Sequence, residues 1–118
     1  MSCIPGAPII VAKQSYVAQT ASLPPTTLYT APEEGDYRVD QYLTNTDFTA
    51  SGGDSSTTLT WNDGVHALSG TFCDAGVGWK SSTTVLHLAA GQSISLSCYF
   101  YSPSSTQTYN LYITVVKE

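Results

Sequence analysis

Alternation of apolar and polar residues runs through this chain and is clearest near its end. In Ser93-Ile94-Ser95-Leu96-Ser97-Cys98-Tyr99-Phe100-Tyr101, Ile94, Leu96, Cys98 and Phe100 share one side, and serines and tyrosines share the other. A period of two sends successive side chains to opposite faces of a strand, so the apolar set marks the core face of a sheet. Tyr109, Leu111, Ile113 and Val115 repeat the pattern after a link over 102–106. Reading the whole chain this way predicts eight strands, over 14–20, 26–30, 36–46, 57–62, 65–73, 83–89, 92–102 and 107–117. No window carries apolar residues at helical spacing.

Turn chemistry separates these segments at Pro32-Glu33-Glu34-Gly35, Ser51-Gly52-Gly53-Asp54, Asn62-Asp63-Gly64, Asp74-Ala75-Gly76-Val77-Gly78 and Ala90-Gly91. Asn62-Asp63-Gly64 carries the sharpest hairpin signal, because Asp-Gly supplies the positive φ of a tight primed turn. Short strands at this spacing, with no helix, predict an all-β fold: an antiparallel jelly-roll β-sandwich of about eight strands. Its expected core is Leu43, Leu59, Trp61, Leu86, Leu88, Ile94, Leu96, Phe100, Leu111, Ile113 and Val115.

In the third strand Tyr37, Val39 and Leu43 share a side with Gln41, while Arg38, Asp40, Tyr42 and Thr44 share the other. A Gln pointing inward needs hydrogen-bond partners or an adjoining assembly axis. The competing reading is a bulge that shifts the register mid-strand.

The outer faces carry tyrosines where a solvated sheet would carry Thr, Lys and Glu. Tyr99, Tyr101 and Tyr112 are expected to share a face and to form a subunit contact, since Tyr combines a large buried area with a polar tip. Residues 1–13 read as an arm and 14–118 as the sandwich domain. Pro5, Gly6 and Pro8 block a helix, and the start lacks the basic leader of a signal peptide. Ile4, Pro5, Pro8, Ile9 and Ile10 are therefore expected to attach the domain to a partner surface, although Ile9–Val11 extending the first strand is the competing reading.

Composition narrows the function. The chain has 118 residues, a net charge of −5 and only 11% charged residues, against a typical ~25%. Lys13, Arg38, Lys80 and Lys117 are its only Lys and Arg residues, which argues against nucleic acid and against anionic membranes. No apolar run approaches the ~20 residues of a membrane helix.

Catalytic and metal chemistry find little support in the sequence. His66 and His87, both in predicted strands, lack the short-spaced partners zinc requires. Neither Cys73 nor any serine has a nucleophile-elbow context. Asp47, Asp54, Asp63 and Asp74 fall in loops without calcium-loop spacing, and turn geometry accounts for them. Three cysteines (Cys3, Cys73 and Cys98) argue against a disulfide framework, though a Cys73–Cys98 bridge stays open if their strands are neighbours. No catalytic residue, metal or cofactor is expected. Trp61 shares the core parity of Leu59, which leaves Trp79 as the exposed aromatic able to meet a glycan.

Several stretches together resemble small phage and prophage virion proteins, such as head-decoration proteins and the jelly-roll tips of tail fibres. They are Thr26-Thr27-Leu28-Tyr29-Thr30-Ala31-Pro32, Gly35-Asp36-Tyr37-Arg38-Val39-Asp40-Gln41-Tyr42-Leu43, the Thr58–Gly64 hairpin, Leu86–Gly91 and the closing tyrosine strands. The Gly-x-Tyr-Arg-Val strand and the terminal Tyr-x-Leu-Tyr strand also look like trimeric jelly rolls of the C1q and tumour-necrosis-factor type. The resemblance implies a non-enzymatic virion structural protein, foremost a capsid decoration protein. Such a protein would form homotrimers and contact major capsid or tail proteins, assembled in the host cytoplasm and released with the particle. The alternative it implies is a tail-fibre or receptor-binding module for host-surface glycans.

Overall fold

The computed structural model describes residues 9–45, 54–75, 79–101 and 108–118. These form eight strands: β1 (Ile9–Gln19), β2 (Leu23–Thr30), β3 (Gly35–Asn45), β4 (Asp54–Asn62), β5 (Ala67–Ala75), β6 (Trp79–Leu88), β7 (Ser93–Tyr101) and β8 (Tyr109–Lys117). Two four-stranded sheets result, ordered β1-β8-β3-β6 and β2-β7-β4-β5, with every pairing antiparallel. Strands pair first with last, second with seventh, third with sixth and fourth with fifth. This is one long antiparallel ribbon rolled over itself, the double Greek key of a jelly roll. The expected fold class is what the structure shows.

The period of two explains the core. Leu43 opposes Leu111, Val39 opposes Val115 and Tyr37 opposes Leu86 in the first sheet. In the second, Leu59 opposes Leu96. All of these are buried, together with Leu28, Leu88, Ile94, Cys98, Tyr109 and Ile113. Each such side chain contributes about 1.5–3 kcal/mol by leaving water. Trp61 and Phe100 are only partly buried and pack against this cluster from its margin.

Two expectations, the arm over 9–13 and the tight Asn62-Asp63-Gly64 turn, are corrected, and two competing readings, a bulge at Gln41 and a Cys73–Cys98 bridge, are excluded. β1 reaches back to Ile9, where it pairs with Lys117, so 9–13 belongs to the sheet and not to a free arm. The main-chain bonds of that stretch are satisfied by β8, which is why it joins. β3 carries no bulge: its register to both neighbours runs unbroken through Gln41. Gln41 points inward at 2% exposure and accepts a hydrogen bond from Thr57 Oγ1 (2.5 Å) across the sandwich.

The Asn62-Asp63-Gly64 hairpin is also wider than a tight primed turn. Asn62 pairs with Ala67, leaving a four-residue loop that takes His66 out of the predicted strand. Asp63 Oδ1 accepts from the Val65 and His66 amides (2.8 and 2.7 Å), an Asx-type closure that a two-residue loop has no room for. Gly64 does adopt the positive φ, at 99°. Finally, Cys73 and Cys98 lie on β5 and β7 with Thr57 of β4 paired between them. Two strand spacings of ~4.8 Å put their backbones beyond disulfide reach, and the buried Cys98 thiol donates to the Tyr99 carbonyl (3.7 Å).

Candidate functional site

The outer face of the β1-β8-β3-β6 sheet carries a strip of exposed aromatic rings. Strand parity puts Tyr42 of β3 and Tyr112 of β8 outward, and the register places them directly opposite one another. Their ring centroids are 6.2 Å apart. Trp79 opens β6 opposite Thr44, one diagonal step from Tyr42, and stacks on it at 6.1 Å with an interplanar angle of 24°. Diagonal neighbours on one sheet face lie within reach of large rings, so the geometry follows from the register. Exposure is 65% for Trp79, 43% for Tyr42 and 44% for Tyr112.

Hydroxyls and one carboxylate border the strip. Ser81 pairs with Tyr42, and Ser15 pairs with Tyr112. Two residues along β3, Asp40 receives Arg38 Nε on Oδ2 (3.1 Å) and Thr83 Oγ1 on Oδ1 (2.9 Å). The carboxylate is held in one orientation yet remains partly exposed, and each oxygen retains acceptor capacity. At the other end Asn110 Oδ1 accepts the Ala18 amide (2.7 Å), tying β1 to β8 where the β1 register slips. Ala18 takes a φ of 54° at this slip.

A flat aromatic strip bordered by hydroxyls and a fixed carboxylate can cover the apolar face of a polar ring and bond to its substituents. Among the described residues no group of three His, Cys, Asp or Glu side chains is placed to hold a metal ion.

The residues expected from sequence separate. Tyr112 belongs to this strip, whereas Tyr99 and Tyr101 project from β7 on the outer face of the other sheet, 55% and 50% exposed. The shared face expected for the three is corrected, because β7 and β8 lie in different sheets. A parity argument holds within one sheet and does not say which sheet a strand enters. Trp79 is exposed as expected. Tyr42 was missed as a site residue, although its outward parity beside Asp40 was already visible. Ile9 and Ile10 are exposed at the start of β1 (61% and 63%), while Ile4, Pro5 and Pro8 lie outside the described residues.

Both described histidines are on the surface. His66 lies beside Asp63 in the β4–β5 loop (4.0 Å). His87 Nδ1 meets Asp36 Oδ1 at 2.8 Å and Nε2 meets Glu34 at 3.6 Å. The Asp36 hydrogen bond, with the Glu34 charge, holds the imidazole pKa above its ordinary value. Next to them Lys117 pairs with Glu33, whose carboxyl that ammonium keeps below the usual range.

No family model and no curated protein matches the chain. Among solved structures it is similar to the C-terminal CBM6 of LamC, a laminarinase from Zobellia galactanivorans, at 14% identity and a TM-score of 0.36, over 90% of this chain and 72% of that one. It is similar to an exo-β-1,3-galactanase from Phanerochaete chrysosporium with galactose, at 19% identity and a TM-score of 0.40, over 94% of this chain and 26% of that one. A carbohydrate-binding module of Cellvibrio mixtus lichenase 5A, in complex with cellotriose, gives 15% identity and a TM-score of 0.36, over 96% and 98% of the two chains. None of the three is a virion protein. At these scores the likenesses carry nothing about ligand or site residues.

Proposed function

We propose that this domain is a non-enzymatic binding module for glycans, with the Trp79–Tyr42–Tyr112 strip as its platform. One observation carries the reading: three rings in continuous contact stand exposed on a sheet face where burial would be expected. Exposed aromatics in a cluster are contact residues, and they dominate interface energies. The bordering serines, Thr83 and the fixed Asp40 carboxylate supply the hydrogen bonds that a sugar's hydroxyls require. Scarce positive charge disfavours polyanionic ligands. Glycan-array binding by the wild type, reduced at least tenfold by Trp79→Ala and by Tyr42→Ala, is the expected result. Both side chains are outward, so the variants should melt as the parent does. Unchanged binding by either variant would remove the platform.

A second reading is a virion subunit, on capsid or tail, that associates with copies of itself as a trimer. It is favoured by Tyr99 and Tyr101, exposed on the opposite sheet from the platform. Light scattering would report about three chains, and Tyr99→Ser with Tyr101→Ser would lower that mass without affecting glycan binding.

A further inference from the structure

A cleft lies on the opposite sheet, at one end of the sandwich. It is open, has a volume of about 470 Å³ and separates the β4–β5 hairpin from the turn between β6 and β7. That is within the ~300–1,000 Å³ of small-molecule sites. Trp61 and Leu68 give it an apolar wall, and Asn62, Ser69, Gln92 and Ser93 supply amides and hydroxyls. No charged side chain lines it.

The cleft is preformed. The two turns that border it are joined by the Ala89 amide donating to the Asn62 carbonyl (3.3 Å). Gly64 packs so closely on Ala89 that an added Cβ would stand 3.2 Å from the alanine's own. On the far turn, the Gly91 amide donates to the Ala31 carbonyl (2.8 Å) and the Ala31 amide to Gln92 (2.9 Å). A ligand entering there meets walls held by backbone hydrogen bonds, which spares it the ordering cost of shaping a loop.

The chemistry beyond the cleft mouth continues the same way. Ser69, Thr60, Ser95 and Thr27 form one row of register partners across the outer face of β5, β4, β7 and β2. Thr30 and Ser93 bond through their hydroxyls (2.7 Å) beside it. This is a surface of uncharged hydroxyls leading to a tryptophan wall.

We infer that the Trp61–Leu68 cleft is a binding site for a short, uncharged oligosaccharide, separate from the Trp79 platform. Trp61 covers an apolar ring face, and Asn62 and Gln92 exchange hydrogen bonds with hydroxyls from opposite walls. Asn62 Oδ1 already accepts the Gly64 amide (2.7 Å), which leaves its NH2 group to donate to a sugar hydroxyl, while the Gln92 amide can match a hydroxyl in either role. An anionic sugar would find no cation in the walls, and a cationic one no carboxylate. The site uses residues remote from the platform and does not rest on it.

The chain contains two tryptophans, Trp61 and Trp79, so two indole N–H resonances report the two sites independently. The intact protein is titrated to millimolar concentration with neutral gluco-, manno-, galacto- and xylo-oligosaccharides, and with an oligogalacturonate as charged control. At least one neutral oligosaccharide should shift the Trp61 indole and the Gln92 and Ser93 amides, in the wild type and in Trp79→Ala alike. The charged control should leave them unmoved. Ala67→Arg, at an exposed position on the cleft wall, should weaken this response at least tenfold while the Trp79 resonance behaves as in the wild type. If no neutral oligosaccharide moves Trp61, or if Ala67→Arg leaves its response intact, the cleft proposal falls. A response at Trp79 alone would overturn the cleft and keep the platform, and a response at Trp61 alone would do the reverse.

Discussion

Gln41 shows how one polar residue can be held inside an apolar sandwich and what it costs there. Its Oε1 is satisfied by Thr57, but Nε2 has no hydrogen-bond partner, and the neighbouring Ser82 Oγ is unpartnered as well. A buried unpaired donor costs ~1–3 kcal/mol, and the loss is asymmetric. Gln41→Leu alone would strand the Thr57 hydroxyl and is expected to destabilise by about 1–2 kcal/mol. Gln41→Leu with Thr57→Val removes both ends and should return the domain to parental stability or above. Urea unfolding of the two singles and the double variant measures this, and additive losses would show that the pair is not coupled. His87 offers a pH test at the same scale. Its folded-state pKa lies above the ordinary value near 6.5, chiefly through Asp36 and then Glu34. The stabilisation is therefore complete below that value and disappears as pH rises through the folded-state value. The melting temperature of the wild type should fall relative to that of His87→Gln as pH rises above about 6.5, while His87→Gln stays level. Parallel curves would mean that the contact is not maintained in solution.

At the scale of elements, the strands were legible because burial on one face forces a period of two, and that period survives in sequence. The eight strands and nearly all of the expected core are as alternation predicts. Leu96 and Ile113 are buried to 0% and 1% exposure, so truncating either to Ala should cost roughly 2–5 kcal/mol. What alternation does not encode is pairing. It gave Tyr99, Tyr101 and Tyr112 the same parity but not the sheet each strand enters, so the platform partners of Tyr112 were not visible. Strand ends were also blurred. Pro24 and Pro25 look like breakers, yet β2 runs through them on a sheet edge with a register shift beside them, where a missing donor faces no neighbour. Glycine did leave a readable mark at Gly64, which combines positive φ with the close approach to Ala89. Gly64→Ala should lower stability by at least ~1 kcal/mol, and it should disturb the cleft amides of Gln92 and Ser93 because both turns shift together. A substitution that melts normally would show that the turns are not locked.

The whole molecule is a rolled ribbon whose two outer faces are chemically unlike, one carrying an aromatic strip with charges beside it, the other a row of serine and threonine hydroxyls with tyrosines at one end. Because the sheets pack back to back through a single core, ligands on the two faces do not compete for space, and each face can evolve without repacking the other. The same topology fixes what the N-terminal segment does for stability. β1 is an edge strand, bonded only to β8, and its first part from Ile9 to Lys13 pairs with Lys117, Val116, Val115 and Thr114. Removing residues 1–8 takes away none of these pairs, so that truncation should melt as the full chain does. Extending the deletion through Lys13 removes the pairs and uncovers the flank of Val116, which is otherwise buried at 4% exposure. Each lost backbone hydrogen bond is worth ~0.5–1.5 kcal/mol net, so the longer truncation should lose about 2–4 kcal/mol, a drop of roughly 10–20 °C. Differential scanning calorimetry on the two truncations tests this directly. If both melt like the parent, the β1–β8 pairing before Gln14 contributes nothing, and the segment is available as the attachment arm that its apolar sequence suggested.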